Sequence, residues 1–321
     1  MLIIENTEQR LAANLLSAIA QAEQYLEGGK MKLFQKFIVV VKRELNHFGM
    51  SNFGNLDDQE IIALLLNLKT KMVHPFPYII KESPEIIAKL SSLEIKHKAA
   101  YEEIKQKIKN GDDINPFLSK DAIDPNFQDY LLLDWNIHHL HLNNINLGNF
   151  FNVRGDYLLM VLFKNSVAHF IDIERHKDVD VFVKIEYLKI IKNSWPDIIE
   201  AYELKEVMAM PIISTNKEIK KFRKNQINTC LKIDDKVYAP IGGGITLAGT
   251  GTNHILKSIK LKKQIDSLEA KYQATKISVL EDIFKKTGKS FPDLDLDFNY
   301  HQNQLELIDK NSNLIIESMN F

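Results

Sequence analysis

A chain of 321 residues with 45% hydrophobic and 26% charged residues has the composition of a folded globular protein, long enough for one large domain or two ordinary ones. Its single cysteine, Cys230, excludes an intrachain disulfide, and apolar runs such as residues 61–66 and 157–163 are far too short to cross a bilayer. The opening Met-Leu-Ile-Ile-Glu lacks a basic region followed by an apolar stretch and a cleavage site, so the expectation is a cytoplasmic protein with no membrane partner. The net charge of −1 hides an uneven distribution: +2 over residues 1–110, −7 over 111–213, +7 over 214–272 and −3 over 273–321. Phosphate affinity comes mainly from Lys and Arg, so a nucleic-acid partner is expected to touch the third stretch.

In chain order, residues 5–110 read as helical. Residues 7–26 are rich in Ala, Leu, Gln and Glu and are stopped by Gly28-Gly29. Phe34, Phe37, Ile38, Val41 and Leu45 recur at helical spacing, and Asp57-Asp58 precedes a further apolar run from Ile61. Ser83-Pro84-Glu85 opens a fourth helix, with an N-cap residue and a first-turn proline, that runs to Asn110-Gly111. From Tyr130 the chain becomes strand-like: His139 and His141 alternate with His138 and Leu140, and 157–163 reads as a central strand turning at Lys164-Asn165-Ser166 into 167–173. Helices are predicted over 181–193, 197–207 and the basic 217–225, and a hairpin over 230–239. A glycine-rich loop at 242–251, a long helix over roughly 253–287 and three terminal strands complete the chain. The expected class is α+β. A helical region, 1–115, precedes an antiparallel-sheet α+β domain, 116–321, with a long C-terminal helix and a terminal β-meander.

The candidate active segment is 137–180. Five of the ten histidines fall within 39 residues: His138, His139, His141, His169 and His176, with Arg154, Asp156, Asp172, Glu174 and Arg175 among them. On a strand, His139 and His141 project to one face about 7 Å apart, which suits an acid and a base flanking one phosphodiester. The same pair, joined by His169 and Asp172, could instead hold a divalent metal such as zinc or manganese. Structural histidines are common, and hydrogen bonding in or near the core is the competing reading for each one alone.

The run Val153-Arg154-Gly155-Asp156-Tyr157, an apolar strand, then 167–173 and Glu174-Arg175-His176-Lys177 resembles the RelE/ParE superfamily of bacterial toxins over about residues 137–180. Leu158 stands where an arginine often follows the tyrosine in that family. Resemblance to RelE-type members implies a small antiparallel sheet packed on helices and a ribonuclease that needs no cofactor. It implies phosphate binding by Arg154 and Arg175 and acid–base catalysis by His139, His141 or His176. His138 and Asp156 complete the expected catalytic set. The resulting expectation is a toxin or phage-defence endoribonuclease acting on RNA or another nucleic acid, with an inhibitor or partner protein. The alternatives are a metal-dependent phosphodiesterase and a non-enzymatic nucleic-acid- or partner-binding subunit.

The basic and glycine-rich segment, 214–272, offers a second candidate surface. Lys220, Lys221, Arg223 and Lys224 lie on one predicted helix. In the following loop Gly243, Gly244, Gly249, Thr250, Gly251 and Thr252 precede a helix whose N-terminus could cradle phosphate. The loop is neither a P-loop nor a Rossmann fingerprint, because no Gly-Lys-Ser/Thr follows and His254 stands at the third glycine position. Asp293, Asp295 and Asp297 alternate as on one strand face, a weak cation candidate.

Overall fold

A computed structural model describes residues 33–205, 215–228, 230–274, 282, 285–286, 288, 296–301, 304–311 and 313–320. The predicted helix over 7–26 and the pair Asp293 and Asp295 lie outside the described residues. The class is α+β. The chain divides into two compact units, residues 63–255 and the flanking portions on either side of them, instead of breaking near residue 115.

The flanking unit contains α1 (Leu33–His47) and the meander β7 (Leu296–His301), β8 (Gln304–Asp309) and β9 (Leu314–Asn320), antiparallel in the order β7-β8-β9. Phe34, Phe37, Ile38, Val41 and Leu45 form the buried stripe of α1, as their spacing requires, and Phe37 meets the Phe298 ring edge-on at 5.4 Å. Two helices run through the unit boundary: α2 (Asp58–Lys71) and α9 (Thr252–Ala274).

The central unit is built on a four-stranded sheet, β1 (Ile79–Glu82), β2 (His138–His141), β3 (Tyr157–Lys164) and β4 (Val167–Arg175), in the order β1-β4-β3-β2. The sheet is mixed, not antiparallel throughout, because β1 pairs parallel with β4. That strand also corrects the helical region 1–115: four of its residues belong to the sheet. The expected single helix over 83–110 is two helices, α3 (Pro84–Leu90) and α4 (Ile95–Asn110). Ser91 and Ser92 break the run by turning their hydroxyls back onto the Ala88 and Lys89 carbonyls, at 2.9 Å each. Ser83 caps α3 through the Ile86 N–H and donates to the Ile171 carbonyl at 2.6 Å, tying the helix to β4.

Apolar residues alternate along β3 and feed two cores. Leu159 and Val161 join Leu140, Phe170, Tyr101 and Ile104 on the α4 side. Leu158, Met160 and Leu162 join Trp135, Ile171 and the segment from Val181 to Ile199 on the other. That second layer holds α6 (Glu186–Ser194), α7 (Pro196–Glu200), α8 (Asn216–Lys224) and the hairpin β5 (Leu231–Ile233)–β6 (Lys236–Tyr238). Residues 130–135, expected as strand, form the short helix α5 (Tyr130–Trp135). The Asp129 carboxylate caps it, accepting from the Leu131 and Leu132 N–H groups at 3.0 and 3.2 Å. No described helix is long and apolar enough to cross a membrane.

Candidate functional site

Strand register sorts the histidines. His139 lies opposite Met160 and His141 opposite Leu158, so both project to the α6–α8 side of β2, their ring centroids 6.4 Å apart. His138 lies opposite Val161 and projects the other way. Its ring meets Phe163 edge-on and its Nε2 sits 3.2 Å from the Thr70 carbonyl, and burial lowers its pKa to about 4. It does not share the site of its neighbours. His176, just past β4, stacks on His141 with ring centroids 5.4 Å apart and planes 20° apart.

Each ring has a distinct electrostatic setting. His141 Nδ1 accepts the Gly155 N–H at 3.3 Å, which fixes the tautomer and leaves Nε2–H as a donor. Burial, with His139, His176 and Arg154 nearby, lowers its pKa to about 3, so it is neutral at pH 7 and a poor proton carrier. Burial and Arg154 also lower the His176 pKa. The Arg154 Nε donates to His176 Nε2 at 3.1 Å, so the neutral imidazole acts as a clamp that orients the guanidinium. His139 has a different partner: Asp129 Oδ2 lies 3.5 Å from its Nδ1. Nδ1 makes no hydrogen bond at this distance, but the carboxylate, whose other oxygen is held by the α5 cap, biases the ring proton electrostatically towards Nδ1 and so leaves Nε2 as the acceptor.

Two cavities open on this constellation. One, about 420 Å³, is lined by Asp129, His139, Arg154, Phe182, Lys220 and Lys224, among others. The second, about 440 Å³, is lined by Lys120, His141, Leu147, Asn149, Phe151 and Arg154, among others. Arg154, Ser119 and Asp121 line both. The basic helix and the histidine strand, separated by some 80 positions in sequence, thus share one cleft.

Arg223 brings them together. Its Nε donates to the buried Asp134 carboxylate at 2.6 Å, its Nη1 donates to the Phe182 carbonyl, and its guanidinium lies 4.5 Å from the Trp135 ring centroid. Although Arg223 lines the first cavity, its main partners are internal, and it anchors α8 with Lys220 and Lys224 facing the cleft. Lys221 lines neither cavity.

Several expected site residues lie elsewhere. Arg175 pairs across the sheet with Tyr157, on the face away from His141, and its Nε donates to the Tyr157 hydroxyl at 3.1 Å. Asp156 is exposed and lines neither cavity; its carbonyl accepts the His176 N–H. The metal set His139, His141, His169 and Asp172 is not assembled. His169 packs on Trp195, centroids 4.7 Å apart, and Asp172 pairs with Lys89 at 2.8 Å. Among the described residues no three His, Cys, Asp or Glu side chains converge on a point a metal could occupy.

The glycine-rich loop is a helix cap instead of a phosphate cradle. The Gly242 N–H donates to the Asp134 carbonyl at 2.8 Å and the Gly244 N–H to the Leu133 carbonyl at 3.0 Å, satisfying the carbonyls at the end of α5. A Cβ on Gly242 would stand 2.3 Å from Leu133 O. The Gly243, Gly249 and Thr252 N–H groups are likewise committed, to the carbonyls of Pro240, Thr246 and Gly244. Thr250 meets the Thr246 hydroxyl at 2.7 Å, and a Cβ on Gly251 would run into His254.

Sequence reading missed Asp129, Asp121, Ser119 and Phe182. Asp129 left a signal: an Asp before Tyr-Leu-Leu-Leu is a helix start, and a capping carboxylate two turns of chain from a histidine strand is available to it. Comparison with known proteins returns no family model, curated sequence or solved structure that matches this chain.

Proposed function

We propose that the cleft binds a phosphodiester of RNA and cleaves it, as an endoribonuclease of the toxin or defence-effector kind. The observation that carries this reading is the placement of His139 and His141 in adjacent cavities, 6.4 Å apart, with Arg154 lining both. A phosphate held at Arg154 lies between the two imidazoles. His139 Nε2, kept as an acceptor by Asp129, takes the proton of the ribose 2′-OH. The O2′–P bond forms and the P–O5′ bond breaks, water at the open mouth protonates the departing oxygen, and a 2′,3′-cyclic phosphate results. Arg154 and the neutral Nε2–H of His141 stabilise the charge that develops on the phosphoryl oxygens. Lys220 and Lys224 hold the flanking backbone. The resemblance of residues 137–180 to RelE-type toxins supports the same substrate class. Of the roles it implies, the geometry favours those of Arg154, His139 and His141 and not that of Arg175.

The test is cleavage of RNA and of the matched DNA by wild-type, His139→Gln and Arg154→Ala proteins, with and without EDTA. Expected are cutting of RNA only, a loss of about 10²–10⁴-fold in His139→Gln, and insensitivity to EDTA. Cleavage of DNA, or RNA cutting unchanged in both variants, refutes the mechanism. Salt-sensitive binding without turnover would mark a nucleic-acid-binding subunit instead.

A further inference from the structure

The first cavity and Arg154 suffice to hold the reacting phosphate; the second cavity has a different character. Lys220 and Lys224 bring two ammonium groups to the first, alongside Asp121 and Asp129, while Arg223 is paired with Asp134. In the second, Lys120 stands beside Asp121, Arg154 lies at the shared edge, and apart from Ser119 and His141 the rest of the wall is apolar or amide. Much of the wall comes from the loop between β2 and β3, which is held in shape by its own polar groups, and the remainder from residues 118–121 and His141. Asn146 Nδ2 donates to the Asn149 carbonyl at 2.7 Å and to Asn152 Oδ1 at 3.2 Å, and its Oδ1 accepts the Gly148 N–H at 2.8 Å. The Asn152 N–H donates to the Pro116 carbonyl, and the Val153 N–H to that of Ile145, both at 2.8 Å. On this ordered frame Leu147 is 73% exposed, and Asn149 is exposed beside it. An apolar side chain held at the rim of a cavity, with an amide next to it, has the chemistry of a heteroaromatic ring's surroundings: a face to pack on and a donor–acceptor pair for its edge.

We propose that the 440 Å³ cavity is a nucleobase subsite. It takes one unpaired base of an RNA strand whose adjoining phosphate lies at Arg154, so that Leu147 and Asn149 set base preference. The inference rests on the reading of the cleft as an RNA-cleaving site. It narrows the substrate to single-stranded RNA, because a base inside a duplex would have to leave its stack to enter a recess beside His141. The lining gives the polarity of the site: backbone runs along the α8 side, where Lys220 and Lys224 stand, and base enters the loop side, where Leu147 and Phe151 do.

Full-length wild-type, Leu147→Ala/Asn149→Ala and His139→Gln proteins are compared on hairpin RNAs with randomised loops, and cut positions are mapped. Leu147 and Asn149 are exposed, so their replacement leaves the cores intact. Wild-type protein is expected to cut in the unpaired loop with a preferred base beside the cut, and the double variant to lose about tenfold of that preference. Cutting that His139→Gln abolishes, with preference unchanged in the double variant or with stems cut as readily as loops, overturns the subsite and leaves the cleft reading standing. Absence of cutting by the wild-type protein, or cutting unchanged in His139→Gln, overturns both.

Discussion

The buried pair that docks α8 gives the sharpest prediction. Arg223 is 5% exposed and Asp134 7% exposed, with 2.6 Å between Nε and Oδ2. The guanidinium has one further partner, the Phe182 carbonyl, while its Nη2 is buried with no hydrogen-bond partner. Asp134→Ala therefore strands a buried cation that has little else to bind. Removing one member of such a pair costs about 3–5 kcal/mol, and the retained contact with the Trp135 ring offsets only about 0.5–2 kcal/mol of it. With a urea m-value of about 2 kcal/mol/M, a loss of 3–5 kcal/mol lowers the unfolding midpoint by about 1.5–2.5 M, or nearer 1 M if the ring compensates in full. Both tryptophans of the chain, Trp135 and Trp195, pack in the core that α8 covers, so intrinsic fluorescence follows the relevant unit. Lys236→Ala, which breaks the surface pair of Lys236 with Glu203 at 2.7 Å, is the control and should move the midpoint by no more than about 0.5 M. RNA affinity of Asp134→Ala, measured below its transition, should fall further than that of Lys220→Ala, because Lys220 and Lys224 lose their mount together. A midpoint within about 0.5 M of wild type would refute the reasoning: the pair would then be screened by solvent and α8 held by Ile219, Phe222 and the Ile185 N–H bond to Asn216.

Acid sensitivity follows from the buried imidazoles. Burial lowers the pKa of His138 to about 4 and of His141 to about 3, from 6.5, so the unfolded chain takes up these protons first. Stability is full above pH about 6.5 and falls as the pH drops towards 4, His138 alone contributing on the order of 3 kcal/mol. Urea midpoints measured across that range should decline less steeply in His138→Phe, and equal slopes would disprove the assignment. Lys71 binds the carbonyls of Asp121, Asp124 and Phe127, the last at 2.9 Å, and burial lowers its pKa to about 8. Lys71→Met takes one donor from each of those carbonyls, which keep the Asp124 N–H, the Phe127 N–H and the Asn67 amide. At about 0.5–1.5 kcal/mol per lost bond, hydrogen exchange over residues 119–129 should accelerate about tenfold; unchanged protection would show that other contacts hold this wall of the cleft. Gly242→Ala sets a Cβ 2.3 Å from Leu133 O and should cost about 1–3 kcal/mol in the same urea assay, whereas a neutral effect would mean that the α5 cap moves freely.

Elements whose signal is local were legible in the sequence. The stripe of α1, the capped start of α3, the hairpin around Asp234-Asp235 and the terminal meander all follow from spacing, caps and turns. Thr215 and Glu218 even form a full capping box at the start of α8. What was not legible depends on partners far along the chain. Four residues, 79–82, fall within the region that reads as helical because a short strand needs a neighbour to exist, and its neighbour β4 lies some 90 positions on. The alternation of His138, His139 and His141 correctly separated two faces, but only register against β3 shows which face meets the cleft. Arg175 reads as the partner of Arg154 until pairing with Tyr157 puts it on the opposite side.

Net charge by segment misjudged the cleft for the same reason. Residues 111–213 carry −7, an unpromising surface for a phosphate. Much of that charge is answered internally. Asp134 faces Arg223, and Asp172 and Glu174 share Lys89, with Lys184 closing on Glu174 at 2.5 Å. Burial raises the Asp172 carboxyl above its ordinary value; at Glu174 burial acts the same way, but the hydrogen bonds from Lys184 and Lys89 prevail and hold it below. Asp129 is engaged by two backbone N–H groups and His139. Besides the paired Arg223, the charged side chains lining the cleft are Lys120, Asp121, Asp129, Arg154, Lys220 and Lys224, and the last two arrive from the +7 segment on a helix held by an acid of the −7 segment. The buried Asp134–Arg223 pair therefore both offsets one charge of the acidic segment and delivers the cations of α8 to it. Net charge per segment describes a surface only when the segment keeps its own charges exposed, and here the fold exchanges them.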